Sequence, residues 1–266
     1  MEKIILDEIS VVAKYNELKN IHKVATYFNV SISPIKRVLE SNGFQLSNRK
    51  YGVNHNFFDN INSEEKAYWL GFLYADGYIR ERKTGNSLEL KLSQKDRSHL
   101  ELFRETIKSN HKIIDNVTKV KYKDGFSVSN MCHLAIYSSK LVESIKKQGI
   151  HSRKTFTIES PKIDETLVNH FLRGYFDGDG SFSFNNKTKR NVTSIVSASE
   201  NFQKFIIDEL LMNGIKINLN YGINLQIQKK VENLKFYNYI YKNATIYLVR
   251  KKEKYEEFRR HYGYDN

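Results

Sequence analysis

Trp69-Leu-Gly-Phe-Leu-Tyr-Ala-Asp-Gly77 and Leu172-Arg-Gly-Tyr-Phe-Asp-Gly-Asp-Gly180 repeat one pattern 103 residues apart. Each is an apolar helical run that sets two small residues four positions apart, Gly71 with Ala75 and Gly174 with Gly178, and then stops at Asp-Gly. Residues four apart share a helix face, so each run offers a stripe against which a second helix backbone can lie unusually close. Docked on each other, the two helices would bring Asp76 and Asp179 together at their C-terminal ends. Gly77 and Gly180 are expected there in the left-handed conformation that ends many helices. Two carboxylates at such a place repel each other and the negative helix ends. The pair requires a cation.

With 40% hydrophobic residues, a chain of 266 residues can bury a substantial core. Its 43 Lys and Arg against 30 Asp and Glu give a net charge of +13, and the pI near 9.5 points to a polyanionic partner, nucleic acid first. No basic amphipathic helix, lipidation signal or long apolar run supports a membrane surface instead. The single cysteine, Cys132, excludes an internal disulfide and a thiolate zinc site, and the eight histidines show no HxxxH spacing. A metal must therefore be held by oxygen. No secretory leader or Arg-rich transit segment precedes the first helix, so an intracellular protein is expected.

The first 45 residues read as a small all-α module. Asp7 to Lys19 forms a supporting helix; Ile21, Val24, Ala25 and Phe28 give the stripe of a second; Ser33 as N-cap and Pro34 at the first helical position open a third. The last two helices resemble a helix-turn-helix, with Lys36 and Arg37 on the polar side of the recognition helix. A small helical cap without DNA contact is the alternative. Residues 46–62 are polar and punctuated, and read as a linker.

From Ser63 the order is helix, hairpin, helix, hairpin, helix, and it then recurs, giving units over 63–160 and 161–266. In the first, the motif helix runs to Asp76. Strands follow at Tyr78 to Arg82 and Ser87 to Leu92, then a helix from Asp96 to Lys108. A hairpin of Lys119 to Lys123 with His133 to Tyr137 comes next, and Ser139 to Gln148 closes the unit. The second repeats this order through Phe182, Val192, Asn201 to Met212, Lys216 to Tyr221, Leu225 to Gln228 and Val231 to Tyr241. A helix from Lys251 to Arg260 is extra. The class is α+β, with duplicated αββαββα units and antiparallel sheets. Leu88, Leu90 and Leu92 alternate with Ser87, Glu89 and Lys91, and Phe182 and Phe184 with Ser181, Ser183 and Asn185. Leu225 and Ile227 likewise alternate with Gln226 and Gln228, so one sheet face packs under helices and the other is polar. Lys119, Lys121 and Lys123 share a face, as do Arg80 and Arg82.

The duplicated motif and the flanking order that repeats with it resemble the LAGLIDADG homing endonucleases in their single-chain form, over roughly Ser63 to the C-terminus. The resemblance implies a monomer with a pseudo-twofold axis whose polar sheet faces form a saddle on double-stranded DNA. Arg80, Arg82, Glu89, Lys91, Lys119, Lys121, Lys123, Ser181, Ser183, Asn185, Lys187, Gln226 and Gln228 are the contacts it suggests. It implies Mg²⁺ or another divalent cation on Asp76 and Asp179, each serving one strand across the minor groove, and a double-strand break with short 3′ overhangs. Lys154 matches the family's active-site lysine in the first unit, and Lys251 in the second with Arg250 as near rival. Gln94 matches a polar position that orients water, whereas its counterpart falls near Ala198 or Ser199. A second departure is Tyr74, which replaces the first motif acid that Asp177 keeps. Two other activities remain compatible with the fold: an intron maturase that binds intron RNA, and a transcription regulator carrying a helix-turn-helix. Both acids are intact here, which favours the nuclease.

Overall fold

The computed structural model describes residues 6–44, 51–122, 125–152, 154–185 and 187–262, and the chain divides into two compact units, 1–50 and 51–266. The smaller holds α1 (Glu8–Leu18), α2 (Ile21–Tyr27) and α3 (Ile32–Ser41) around Val11, Val24, Ala25, Ile35 and Leu39. Asp7 accepts the Ser10 amide and Asn20 those of His22 and Lys23, so side chains satisfy the first-turn N–H groups of α1 and α2. The N-cap of α3 is Ser31 rather than Ser33. Pro34 thus stands third in the helix, still within the first turn, where an amide hydrogen would find no intrahelical partner. Lys36 pairs with Glu40 at 3.6 Å and Arg37 is exposed.

The larger unit repeats one order twice. First come α4 (Glu64–Asp76), β1 (Tyr78–Arg80), β2 (Ser87–Ser93), α5 (Arg97–Thr106), β3 (Ile113–Tyr122), β4 (Gly125–Tyr137) and α6 (Ser139–Lys147). Then follow α7 (Val168–Asp179), β5 (Gly180–Phe184), β6 (Asn191–Val196), α8 (Glu200–Met212), β7 (Asn218–Asn220), β8 (Asn224–Ile227) and α9 (Lys230–Tyr241), with α10 (Val249–His261) added. Each set of four strands forms an antiparallel sheet, ordered β1-β2-β4-β3 and β5-β6-β8-β7. Both motif helices are central: α4 is buried from Ala67 to Tyr74 and α7 from His170 to Asp177. Their nearly continuous apolar sequence, without a polar stripe, reflects packing on all sides. Among the described residues no helix is long and apolar enough to cross a membrane.

Three expectations change on folding. The stretch read as linker belongs from Tyr51 onward to the larger unit, because Phe57 and Phe58 are buried in its core and the Asn54 amide donates to the Ile107 carbonyl. Gly77 and Gly180 are extended, with φ of −71° and −87°, not left-handed. Their lack of a side chain matters for space: a Cβ would stand 2.5 Å from the carbonyl oxygen of Leu73 or Phe176, the groups that accept their amides. The third change is one of strand face. Lys119 pairs with Val128, which shares its face with Cys132 and Leu134, so Lys119 lies on the side opposite Lys91 and Arg80. The side chain of Lys121 and the whole of Lys123 lie outside the described residues.

Candidate active site

The site is built by the closeness of two backbones. A Cβ on Gly71 would overlap the Phe171 carbonyl and stand 2.9 Å from the Tyr175 amide nitrogen. One on Gly174 would overlap the Tyr68 carbonyl and stand 2.8 Å from the Phe72 nitrogen. Lower down, Ala75 fills the space that Gly178 leaves, and a Cβ on Gly178 would be 3.2 Å from Asp76 Oδ2. All four small residues read from the sequence thus lie in the α4–α7 contact, which carries Asp76 and Asp179 to one place.

Asp179 is exposed and Asp76 partly so. Removal from bulk water pushes the Asp76 carboxyl up to about 6, and the charge of Asp179 adds to it. The same desolvation raises Asp179, against the pull of Lys154 and Lys251. These lysines act on the helix ends. Lys154 Nζ donates to the carbonyls of Ala75 (3.2 Å) and Gly77 (2.7 Å), on either side of Asp76. Lys251 Nζ donates to Phe176, Asp177 and Gly180 at 2.6 Å and to Gly178 at 3.3 Å, so it frames Asp179 in the same way. Each ammonium binds carbonyls at the C-terminal end of its helix, most of them without a helical partner, and offsets the negative helix end. Burial lowers both lysines, Lys251 to about 8. Arg250, the rival to Lys251, turns away and grips Asp96 through two bonds of 2.8 and 2.9 Å. Gln94 opens the turn that contains Asp96, and its Oε1 is buried without a partner among the described residues. In the other repeat Ser199 is spent on capping α8 and on the Ile158 carbonyl.

Tyr74 and Asp177 do matching work with opposite polarity. Tyr74 donates to the Gln148 carbonyl at the end of α6, and Asp177 accepts the Leu248 amide before α10. Asp177 also accepts the Tyr68 hydroxyl (2.8 Å), whose one proton is thereby used, so His99 Nε2 donates to Tyr68. Burial, helped by the charges of Arg250 and Lys251 and opposed by Asp96, keeps His99 neutral and lowers its pKa from 6.5 to about 4. Because the folded value lies below the unfolded one, its contribution to stability is lost as pH falls from 6.5 towards 4. Asn at position 99 cannot titrate. Urea melts should therefore show the deficit of His99→Asn against the parent shrinking by about 2 kcal/mol between pH 7 and pH 4.5. A deficit independent of pH would contradict the neutral assignment.

The suggested DNA contacts divide into groups. Arg80, Arg82, Lys91, Ser181, Ser183, Lys187 and Gln228 are exposed, and Gln226 is half-buried. Asn185 is exposed, but its Oδ1 accepts the amides of Lys187 and Thr188 in a turn. Glu89 is buried beneath its neighbours and binds Arg80, so it is not a free contact group. The alternation pattern showed which strand face is polar, but not that a charge on it would be covered. Pairing also adds residues that the sequence reading missed. His133 stands opposite Lys91, and Ser194, Asn224, Asn218 and Asn220 lie on the Gln226 face. A further omission is Arg173, fully buried, whose Nη2 donates to Glu64 across the α4–α7 pair at 2.7 Å. A lone Arg within an apolar run was the signal.

A family model described as the LAGLIDADG-like domain matches residues 63–148 and 166–263. No curated protein matches the chain. Among solved structures, the homing endonuclease I-WcaI bound to its DNA recognition sequence is similar with a TM-score of 0.51 and 14% identity, over 80% of this chain and 96% of that one. The LAGLIDADG meganuclease I-CpaMI bound to uncleaved DNA gives 0.41 and 12%, over 75% and 90%. The N-terminal LAGLIDADG domain of WhiA gives 0.42 and 18%, over 70% and 87%.

Proposed function

The chain belongs to the LAGLIDADG-like domain family, and on that premise we propose that it is a site-specific endonuclease that hydrolyses both strands of double-stranded DNA. The observation that carries this reading is the pair Asp76 and Asp179, delivered by two helices and each framed by a lysine, Lys154 half-buried and Lys251 buried. Asp76 and Asp179, both raised by desolvation and Asp76 also by the charge of Asp179, form an oxygen-only donor pair that fits a hard cation such as Mg²⁺. When bound, Mg²⁺ lowers the pKa of water and neutralises charge on the phosphate. Asp76 and Asp179 would hold it. Lys154 and Lys251 fix the helix ends, so the carboxylates need not reorganise as the phosphate enters. Gln94 Oε1 can accept a hydrogen bond from the attacking water and so aim it. With no equivalent in the second repeat, the two strands are cut at unequal rates. The product is a double-strand break across the minor groove with short 3′ overhangs. Both motif helices lie on one chain, so a monomer suffices.

The Asp76→Asn, Asp179→Asn double mutant should lose cleavage of a randomised duplex library in Mg²⁺ and still bind duplex, because an amide keeps the shape but not the charge. Full cutting by that variant would overturn the assignment.

The N-terminal unit is proposed to extend the DNA contact through Lys36 and Arg37 on α3. Removing residues 1–45 should leave a folded nuclease, because the larger unit has its own core. Its footprint should be shorter at one end, and its affinity should fall less steeply with salt, by nearly one unit of log-log slope per lost phosphate contact. Identical footprints and slopes would mark the unit as a structural cap.

A further inference from the structure

The polar faces of the two sheets differ in kind. On the first, Arg80, Glu89, Lys91, Asn116 and His133 line a depression of about 340 Å³ together with Asp76 and Tyr78. Glu89, 7% exposed, lies at its base. It accepts Arg80 Nε at 2.7 Å and Nη2 at 3.0 Å, and Ser87 Oγ at 3.3 Å, with His133 Nε2 at 3.4 Å. The guanidinium is thus held along one edge, while its side chain remains 46% exposed. A guanidinium has five N–H donors in a rigid plane. Two are spent on Glu89, and the end fork of Nη1 and Nη2 remains available, fixed in orientation. That fork matches the O6 and N7 acceptors of guanine in the major groove.

The second sheet has nothing comparable. None of the residues in β5, β6, β7 or β8 is charged. Its polar face carries hydroxyls and amides, among them Ser181, Ser194, Asn224, Gln226 and Asn218, which the strand register places in line. Asn and Gln amides pair with the N6 and N7 edge of adenine. The difference is one of donor chemistry, charged fork against neutral amide.

We propose that the DNA target is chemically asymmetric: the half-site under the first sheet carries a guanine read by Arg80, with Glu89 as its positioning residue, and the half-site under the second is rich in A·T pairs. This rests on the endonuclease reading and goes beyond it, because it assigns sequence composition to each half. Glu89, which its residue type alone would make a direct DNA contact, instead acts through Arg80.

The test is selection of randomised duplex DNA by the full-length protein in EDTA, which holds binding apart from cutting. The parent should enrich one guanine on one side and A·T pairs on the other. Arg80→Gln should remove the guanine preference, and Glu89→Gln should weaken it by about tenfold, both leaving the A·T half unchanged. That unchanged half is the control against general loss of structure, because a merely destabilised protein loses both preferences together. Retained duplex with no guanine preference, or one that survives Arg80→Gln, would overturn the proposal while leaving the endonuclease reading intact. Failure to retain any duplex would overturn that reading, and the proposal with it.

Discussion

Gly174→Ala should disable the protein almost as fully as removal of its acids, although it adds a single methyl group. The new Cβ would fall on the Tyr68 carbonyl and within 2.8 Å of the Phe72 nitrogen, and both are backbone atoms of a buried helix that cannot rotate aside. The helices must separate. Overpacking of this kind costs about 3 kcal/mol, and displacing reacting groups by about 1 Å costs on the order of a hundredfold in rate. Gly71→Ala should do the same, because its Cβ would meet Phe171 and Tyr175 in the equivalent way. Gly52→Ala is the control, with nothing within 4 Å of the added atom. Differential scanning calorimetry and a cleavage assay measure both effects. An unaltered melting temperature for Gly174→Ala would mean that the helices do not pack through that stripe.

Arg173→Met should cost about 3 kcal/mol, since removing one partner of a buried pair leaves the other uncompensated. Arg173 Nε and Nη1 also donate to the carbonyls of Ile246 and Ile240, at 2.8 and 2.7 Å, so two buried acceptors lose their donors as well. Glu64 keeps the Thr245 amide and hydroxyl, which places the loss at the lower end of the range for buried pairs. Adding Glu64→Gln should recover part of the deficit, because the stranded charge is then gone. Denaturant melts of the two single variants and the double variant form the cycle that checks this. Strict additivity would show that Glu64 and Arg173 do not interact.

The sequence by itself determined the duplicated unit, the order of its elements and the meeting of Asp76 with Asp179. These depend on local periodicity and on a motif stated twice, and a helix stripe with Gly at its centre admits few partners other than its own copy. The family resemblance, not the residue pattern, singled out Lys154 and Lys251, and the fold brings their ammonium groups to the helix ends that carry the acids. Tertiary structure alone decided what each charge touches. Strand register, a property of the pair and not of the strand, put Lys119 on the other face from Lys91. The same pairing covered Glu89 and turned it from a surface acid into the support of Arg80. Gly77 and Gly180 were recognisable as necessary, but the reason was steric, set by the carbonyls of Leu73 and Phe176, not conformational. In every such case the deciding quantity is a distance between residues far apart in the chain, which composition and spacing do not contain.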